Sequence, residues 1–156
     1  MDDKAFRRAM GKFATGVTVI TTCLQGEVHG MTANAFVSVS LDPRLILVSI
    51  SKNAKMLETM KESGAFAVSV LSQEQKEMSV YFAGQAKERR EIEFTLVNDM
   101  PVLPNSLAAL VCDVYDAHAA GDHTLFIGKV NHITTHELEP LLFFGGNYRM
   151  LQASSL

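Results

Sequence analysis

The sequence predicts a mainly β domain, a closed antiparallel barrel with two or three peripheral helices. About seven runs rich in β-branched and aromatic residues are joined by short connections, and only two or three segments repeat with helical period. So many strands need closure to remove the edges they would otherwise expose. An open sandwich is the alternative. A chain of 156 residues with 47% hydrophobic content is the size of one ordinary domain and can bury a substantial core, so a single domain over 1–156 is expected.

The elements follow in order. Ala5 to Phe13 is basic and amphipathic, with Phe6, Met10 and Phe13 recurring as one helical face requires. Val17 to Thr22 is β-branched, Gln25-Gly26-Glu27 turns the chain, and Val28 to Thr32 returns it, which predicts a hairpin. Phe36 to Leu41 and Leu45 to Ile50 are two strands divided by Asp42-Pro43-Arg44, and the unbroken Leu45-Ile46-Leu47-Val48 run predicts burial on both faces. Met56, Leu57 and Met60 form one stripe of a helix over Asn53 to Glu62, with Gly64 placed to end it in the left-handed conformation. Phe66 to Leu71 is a strand. Ser72 and Gln75 have capping-box spacing before a helix carrying Met78, Tyr81 and Phe82 and closed by Gly84. Gly84 to Asp99 reads as an ordered excursion, Leu107 to Tyr115 as a strand, and Ala117 to Asp122 as the turn into a long strand from Thr124 to Thr134. Leu141 to Phe144 is a last short strand before Gly145-Gly146.

Composition excludes several classes. A formal net charge of -3 lacks the concentrated basic surface that phosphate backbones demand, so nucleic acid is not an expected partner. No apolar run approaches the roughly 20 residues of a membrane span and the N-terminus lacks a signal-peptide core, so no membrane partner and a cytoplasmic location are expected. Cys23 and Cys112 form no C-x-x-C pair and read as small buried hydrophobes rather than catalytic thiols. The five histidines show no ligand spacing, so no metal is expected.

Four segments carry candidate chemistry. Gly30 to Pro43 contains Thr32, Ala33, Asn34, Ala35, Ser38 and Ser40 where a strand buried for its own sake would use large apolar residues, each contributing roughly 1.5–3 kcal/mol. Small residues let a flat ligand approach the backbone, and hydroxyl and amide groups meet its edge; a polar outer strand face is the plainer alternative. Ser49-Ile50-Ser51-Lys52-Asn53, between a strand and a helix, offers hydroxyls, backbone N–H groups and an ammonium to a phosphate, or else caps the helix. Gly121-Asp122-His123-Thr124 puts an imidazole beside a carboxylate in a tight turn, and Gly145-Gly146-Asn147-Tyr148-Arg149 delivers a ring and a cation from a flexible pair. Both can equally be ordinary surface turns. A ring plus a phosphate outlines a flavin nucleotide, yet neither dinucleotide fingerprint is present, so strands and loops of the barrel would have to hold it.

Phe13-Ala14-Thr15-Gly16-Val17-Thr18-Val19-Ile20-Thr21-Thr22, Gly30 to Phe36, Ser38-Val39-Ser40-Leu41-Asp42-Pro43, Gly121-Asp122-His123 and the closing Gly-Gly-x-Tyr together resemble the short-chain flavin reductases, the reductase components of two-component flavin monooxygenases. The likeness runs from about Phe6 to Leu151 and is weakest over Gly84 to Asn98. It implies a Greek-key split barrel that binds FMN or FAD, a homodimer, reduction of flavin by NADH or NADPH, and a partner oxygenase that takes reduced flavin to an aromatic, phenolic substrate. Carried over, Met31, Thr32, Ala33, Asn34 and Ala35 lie along the flavin ring system, with Ser38, Ser49, Ser51 and Lys52 toward the ribityl and phosphate. Phe82, Ala83 and Tyr148 also approach the flavin, and His123 meets the pyridine nucleotide. No acid or base is implied, because hydride transfer asks the protein chiefly to stack two rings. A flavin- or heme-binding split barrel without reductase activity and a pyridoxamine phosphate oxidase-like enzyme are the competing readings; Gly121-Asp122-His123 favours the reductase. Arg44 and Cys23 stand outside the family's pattern.

Overall fold

Gln25 and Gly26, both at positive φ (52° and 80°), reverse the chain between β2 (Thr18–Leu24) and β3 (Glu27–Ala33), with β1 (Thr15–Gly16) just ahead of them. Such turns match the twist of paired strands, and they produce the expected hairpin. The computed structural model describes residues 2–153. Two residues, Asn34 and Ala35, lead on to β4 (Phe36–Leu41), which turns tightly into β5 (Arg44–Ser51). After α2 (Met56–Ser63) and β6 (Ala65–Val70), a 3₁₀ turn at Gln73–Gln75 feeds α3 (Lys76–Phe82). β7 (Thr95–Val97) and β8 (Met100–Val102) make a small hairpin, β9 (Ala108–Ala120) and β10 (His123–Thr135) a long one, and β11 (Leu142–Phe144) with β12 (Asn147–Arg149) a third.

The main sheet has seven antiparallel strands in the order β3-β2-β6-β9-β10-β5-β4. Its two edge strands, β3 and β4, are consecutive in the chain, and this dictates its shape. A flat seven-strand sheet would hold them about 29 Å apart at ~4.8 Å per strand, whereas the three Cα steps from Ala33 to Phe36 span at most about 11 Å. The sheet must therefore curl until its edges meet at the Asn34-Ala35 link. Ile20, Val48, Phe66 and Phe126 of four strands are wholly buried together inside the curl, with Met31, Ala33 and Phe36 of the two edges packed against them. Met56, Leu57 and Met60 of α2 join that interior, as their stripe predicts. No ladder joins β3 to β4 among the described residues, so the curl has a seam where a hydrogen-bonded closure was expected.

Local signals account for most boundaries. Gly64 ends α2 at φ 71°, its N–H bonded to the Met60 carbonyl. The Gln75 side chain accepts the Ser72 backbone N–H at 3.0 Å, the reach-back half of a capping box. Gly128 faces the interior where an added Cβ would stand 2.5 Å from Phe66 and 2.9 Å from Cys112, so a side chain is excluded there by packing alone. The buried Cys112 thiol has its pKa pushed up to about 12, chiefly by burial, and takes the structural role read from sequence, whereas Cys23, expected to be buried too, is only half-buried near the end of β2.

Several expectations are corrected. α1 spans Asp3–Met10 and buries none of its residues; Phe6, Met10 and Phe13 stay exposed because no element among the described residues covers them. The Leu45 to Val48 run is not buried on both faces: Ile46 and Val48 point inward, while Leu45 and Leu47 are half-buried on the outer face. The predicted turn over Ala117 to Asp122 is shorter, since β9 continues to Ala120 and only Gly121 and Asp122 turn. The excursion after Gly84 ends in the β7–β8 hairpin, turned by Asn98 and Asp99 at positive φ without glycine, which Asn and Asp tolerate better than other residues with side chains.

Candidate active site

Beside the curled sheet, β1, α3 and the β11–β12 hairpin gather around the end of β3. Val17, Val19, Leu71, Leu103 and Leu141 form a buried cluster there, with Phe82, Phe143 and Tyr148 packed against it. Gly145 and Gly146, at φ 60° and 82°, give the type of reversal that lets β12 fold back on β11, and Tyr148 is thereby delivered across from Phe143, ring centroids 5.4 Å apart. The C-terminal glycine pair thus makes a hairpin rather than a plain turn.

Between these walls lies a cleft of about 280 Å³ lined by Thr32, Ala33, Asn34, Ala83 and Tyr148, five of the residues singled out from sequence. Val17, Ser79, Gln85, Phe143 and Gly146 complete it. Ala33 and Ala83 keep opposing walls thin. Thr32 donates its hydroxyl hydrogen to the Ser79 carbonyl at 2.6 Å, and the Ser79 and Tyr148 hydroxyls share a hydrogen bond of 2.7 Å. The Lys76 ammonium sits 5.5 Å from the Tyr148 ring centroid, within cation–π range. Ser79 and Gln85 escaped the sequence reading, because one looks like a small residue on a helix and the other like part of a charged loop.

A second group forms where β5 ends and β10 begins. Ser51 pairs with His123 and Ser49 with Leu125, so Ser49, Ser51 and His123 share one face of the sheet. Lys52 is drawn into this group: its ammonium donates to the Gly121 carbonyl at 2.6 Å and its backbone N–H to the Asp122 carbonyl at 2.9 Å. The Ser51 hydroxyl accepts the Asn53 N–H at 3.3 Å, which closes a local turn, but neither residue caps the helix: α2 begins at Met56 after Lys55 and has no side-chain cap. His123 Nδ1 lies 2.7 Å from an Asp122 carboxylate oxygen. That hydrogen bond, then the imidazole's charge, holds the Asp122 carboxyl below the usual carboxylate range. A depressed carboxyl favours the folded state above its unfolded pKa, and that contribution is lost as pH falls through the folded value. Because Asp122 is exposed, the effect is a local reporter rather than a source of stability. In an NMR pH titration Asp122 should titrate lower than a free aspartate, and His123→Ala should move it upward; an unmoved midpoint would contradict the pairing.

The two groups meet at the seam. Ser49 donates its N–H to the Ala35 carbonyl at 3.3 Å, so the Asn34-Ala35 link belongs to the cleft on one side and to the β5 group on the other. Met31 and Phe82 lie behind the lining: Met31 packs against the core inside the curl, and Phe82 covers Gly30, where a Cβ would approach its ring to 2.7 Å. Ser38 is exposed on β4 opposite Ile46. No group of three potential metal ligands occurs among the described residues.

Residues 10–152 match the flavin reductase like domain. This chain belongs to the flavin reductase family. An NADH-dependent flavin reductase of a Rhodococcus species is 45% identical over 94% of this chain and 85% of its own length. The reductase component of a 4-hydroxyphenylacetate 3-monooxygenase from Thermus thermophilus is 38% identical, covering 95% and 96% of the two chains. Among solved structures, the flavin reductase PheA2 in its native state superposes with a TM-score of 0.97 at 56% identity over 98% of this chain and all of that one. A Streptomyces globisporus NADH:FAD oxidoreductase, solved with NAD and FAD fragments, superposes at 0.90 with 36% identity over 96% and 93%. The motifs that first carried the resemblance, from Phe13 to the Gly-Gly-x-Tyr segment, all fall within the span matched to the flavin reductase family.

Proposed function

We propose that this chain is an NADH-dependent flavin reductase that binds FAD or FMN in the cleft beside β3 and supplies reduced flavin to an oxygenase acting on an aromatic, phenolic substrate. The observation that carries the reading is the meeting, at one seam of the sheet, of a thin-walled cleft with a cationic, hydroxyl-bearing strand end. The residues present fit the group. Ala33 and Ala83 leave room for a flat ring, Thr32 and Asn34 present polar atoms to its edge, and Ser49, Ser51 and Lys52 offer hydroxyls and a positive charge to a phosphate. When bound, the flavin supplies an electron-poor ring system that accepts a hydride equivalent from a nicotinamide. The chain's own residues have the lesser chemical task of positioning: Tyr148 and Phe143 bound the cleft, and His123 stands ready to donate a hydrogen bond to the nicotinamide carboxamide or a phosphate. NADPH is the alternative donor. The same reading makes the curled sheet a split barrel closed about its ligand. It also makes the protein a homodimer, which the exposure of Val37, Val39 and Leu41 on β4 supports.

Anaerobic mixing of the protein with NADH and excess FAD or FMN tests the reading directly: absorbance at about 450 nm should fall at a rate proportional to enzyme. No bleaching with either nicotinamide would leave a flavin-binding module without reductase activity. His123→Ala should raise the KM for NADH about fivefold, the loss of one hydrogen bond to a charged or polar partner, while the flavin Kd stays nearly unchanged. Equal losses for both ligands would misplace His123.

A further inference from the structure

Ser79 touches three walls of the cleft at once. Its carbonyl accepts the Thr32 hydroxyl from β3 at 2.6 Å and the Ala83 N–H at 3.0 Å, while its hydroxyl meets the Tyr148 hydroxyl from β12 at 2.7 Å. The residue itself is completely buried. The β11–β12 hairpin is also held by two residue pairs with β1, one backbone bond from Gly145 to Gly11 at 2.8 Å, the packing of Phe143 and Tyr148 on the buried cluster around Val17 and Leu71, and Lys76 over the Tyr148 ring. Packing and the Lys76 cation are non-directional; among the described residues the Ser79–Tyr148 bond is the one hydrogen bond between this hairpin and α3, so it sets their distance most sharply. We propose that Ser79 is a positioning residue of the flavin cleft, its hydroxyl latching Tyr148 so that the hairpin stands at the distance a flavin ring requires. The inference rests on the flavin reading of the cleft.

The latch differs from ordinary packing in what its loss should do. Ser79→Ala keeps the carbonyl and both bonds to it, improves helix propensity, and deletes only the bond to Tyr148. Tyr148 is half-buried, so its freed hydroxyl can turn to water and the hairpin can shift. FMN and FAD titrations followed by flavin fluorescence, with thermal unfolding alongside, decide the matter for wild type, Ser79→Ala, Tyr148→Phe and the double variant. Each single variant should bind flavin about three- to tenfold more weakly, as one lost hydrogen bond implies. The double variant should be no weaker than the poorer single variant, because both remove the same bond. Midpoints of unfolding should stay within a few degrees of wild type.

Additive losses in the double variant, or an unchanged Kd beside a lowered unfolding midpoint, would overturn the positioning role while leaving flavin binding intact. Wild type that binds neither flavin would overturn the reading of the cleft and this inference with it. Should Ser79→Ala fail to fold, Tyr148→Phe alone still decides: an unchanged flavin Kd overturns the latch and a three- to tenfold loss supports it.

Discussion

Gly128→Ala should lower stability by about 2–3 kcal/mol, the upper part of the range for overpacking a filled interior. The added methyl would sit 2.5 Å from the Phe66 ring and 2.9 Å from the Cys112 Cβ, and neither neighbour can retreat. Phe66 is wholly buried among residues of other strands, and the Cys112 Cβ is fixed by the β9 backbone. Relief would require β10 to part from β9 or Phe66 to leave its rotamer. For a domain of this size each kcal/mol corresponds to about 2–4 °C, so the unfolding midpoint should drop by roughly 4–12 °C. Since β10 also carries His123 at its start, activity should persist at low temperature and vanish early on heating. A midpoint unchanged in differential scanning calorimetry would show that the interior has slack which the packing does not reveal.

Ala83→Leu should separate function from stability in the opposite sense. Ala83 is exposed at the C-terminus of α3, lies outside the buried clusters, and lines the cleft. Three further carbon atoms there would occupy the space proposed for the flavin ring while adding no bulk to the buried clusters. Flavin affinity should fall at least about tenfold, the equivalent of 1.4 kcal/mol, with the unfolding midpoint of the ligand-free protein unchanged within a degree or two. Ala33→Leu is a less clean experiment, because Ala33 lines the cleft and also packs against the core inside the curl, so binding and stability should fall together. Wild-type affinity in Ala83→Leu would mean that the ligand lies elsewhere.

Much of the fold was legible because its signals are local. The Gln25-Gly26 turn, Gly64 at the end of α2, the Ser72–Gln75 spacing and the α2 stripe each act within a few residues, and each is found where it was read. The failures concern partners distant in sequence. Phe6, Met10 and Phe13 have the period of a packed helix face, but period does not say whether anything in the same chain will cover it. Leu45 and Leu47 look as buried as Ile46 and Val48, and only the path of neighbouring strands decides which side of β5 is inside. Asn98-Asp99 lacks the glycine that marks most tight hairpin turns, so the β7–β8 pairing was invisible.

The candidate site divides in the same way. Thr32, Ala33 and Asn34 announce themselves as small and polar residues in a strand, and Gly145-Gly146 before Tyr148 as a bend carrying a ring. Ser79 has no such signature: its importance comes from three bonds to residues 47, 4 and 69 positions away. A serine in a helix reads as filler until its neighbours are known.

By itself the order of residues determined the seven strands of the main sheet, the two main helices, most of the turns between them and the family, since these rest on short-range patterns and ordered motifs. Tertiary structure decided that the sheet curls with its two edges joined by Asn34-Ala35, and that this link brings the cleft of β3, α3 and β12 against the Ser49, Lys52 and His123 group. The reason is geometric: a two-residue connection between the first and last strands of a seven-stranded sheet can exist only if the whole sheet bends, and no local stretch of sequence contains that constraint.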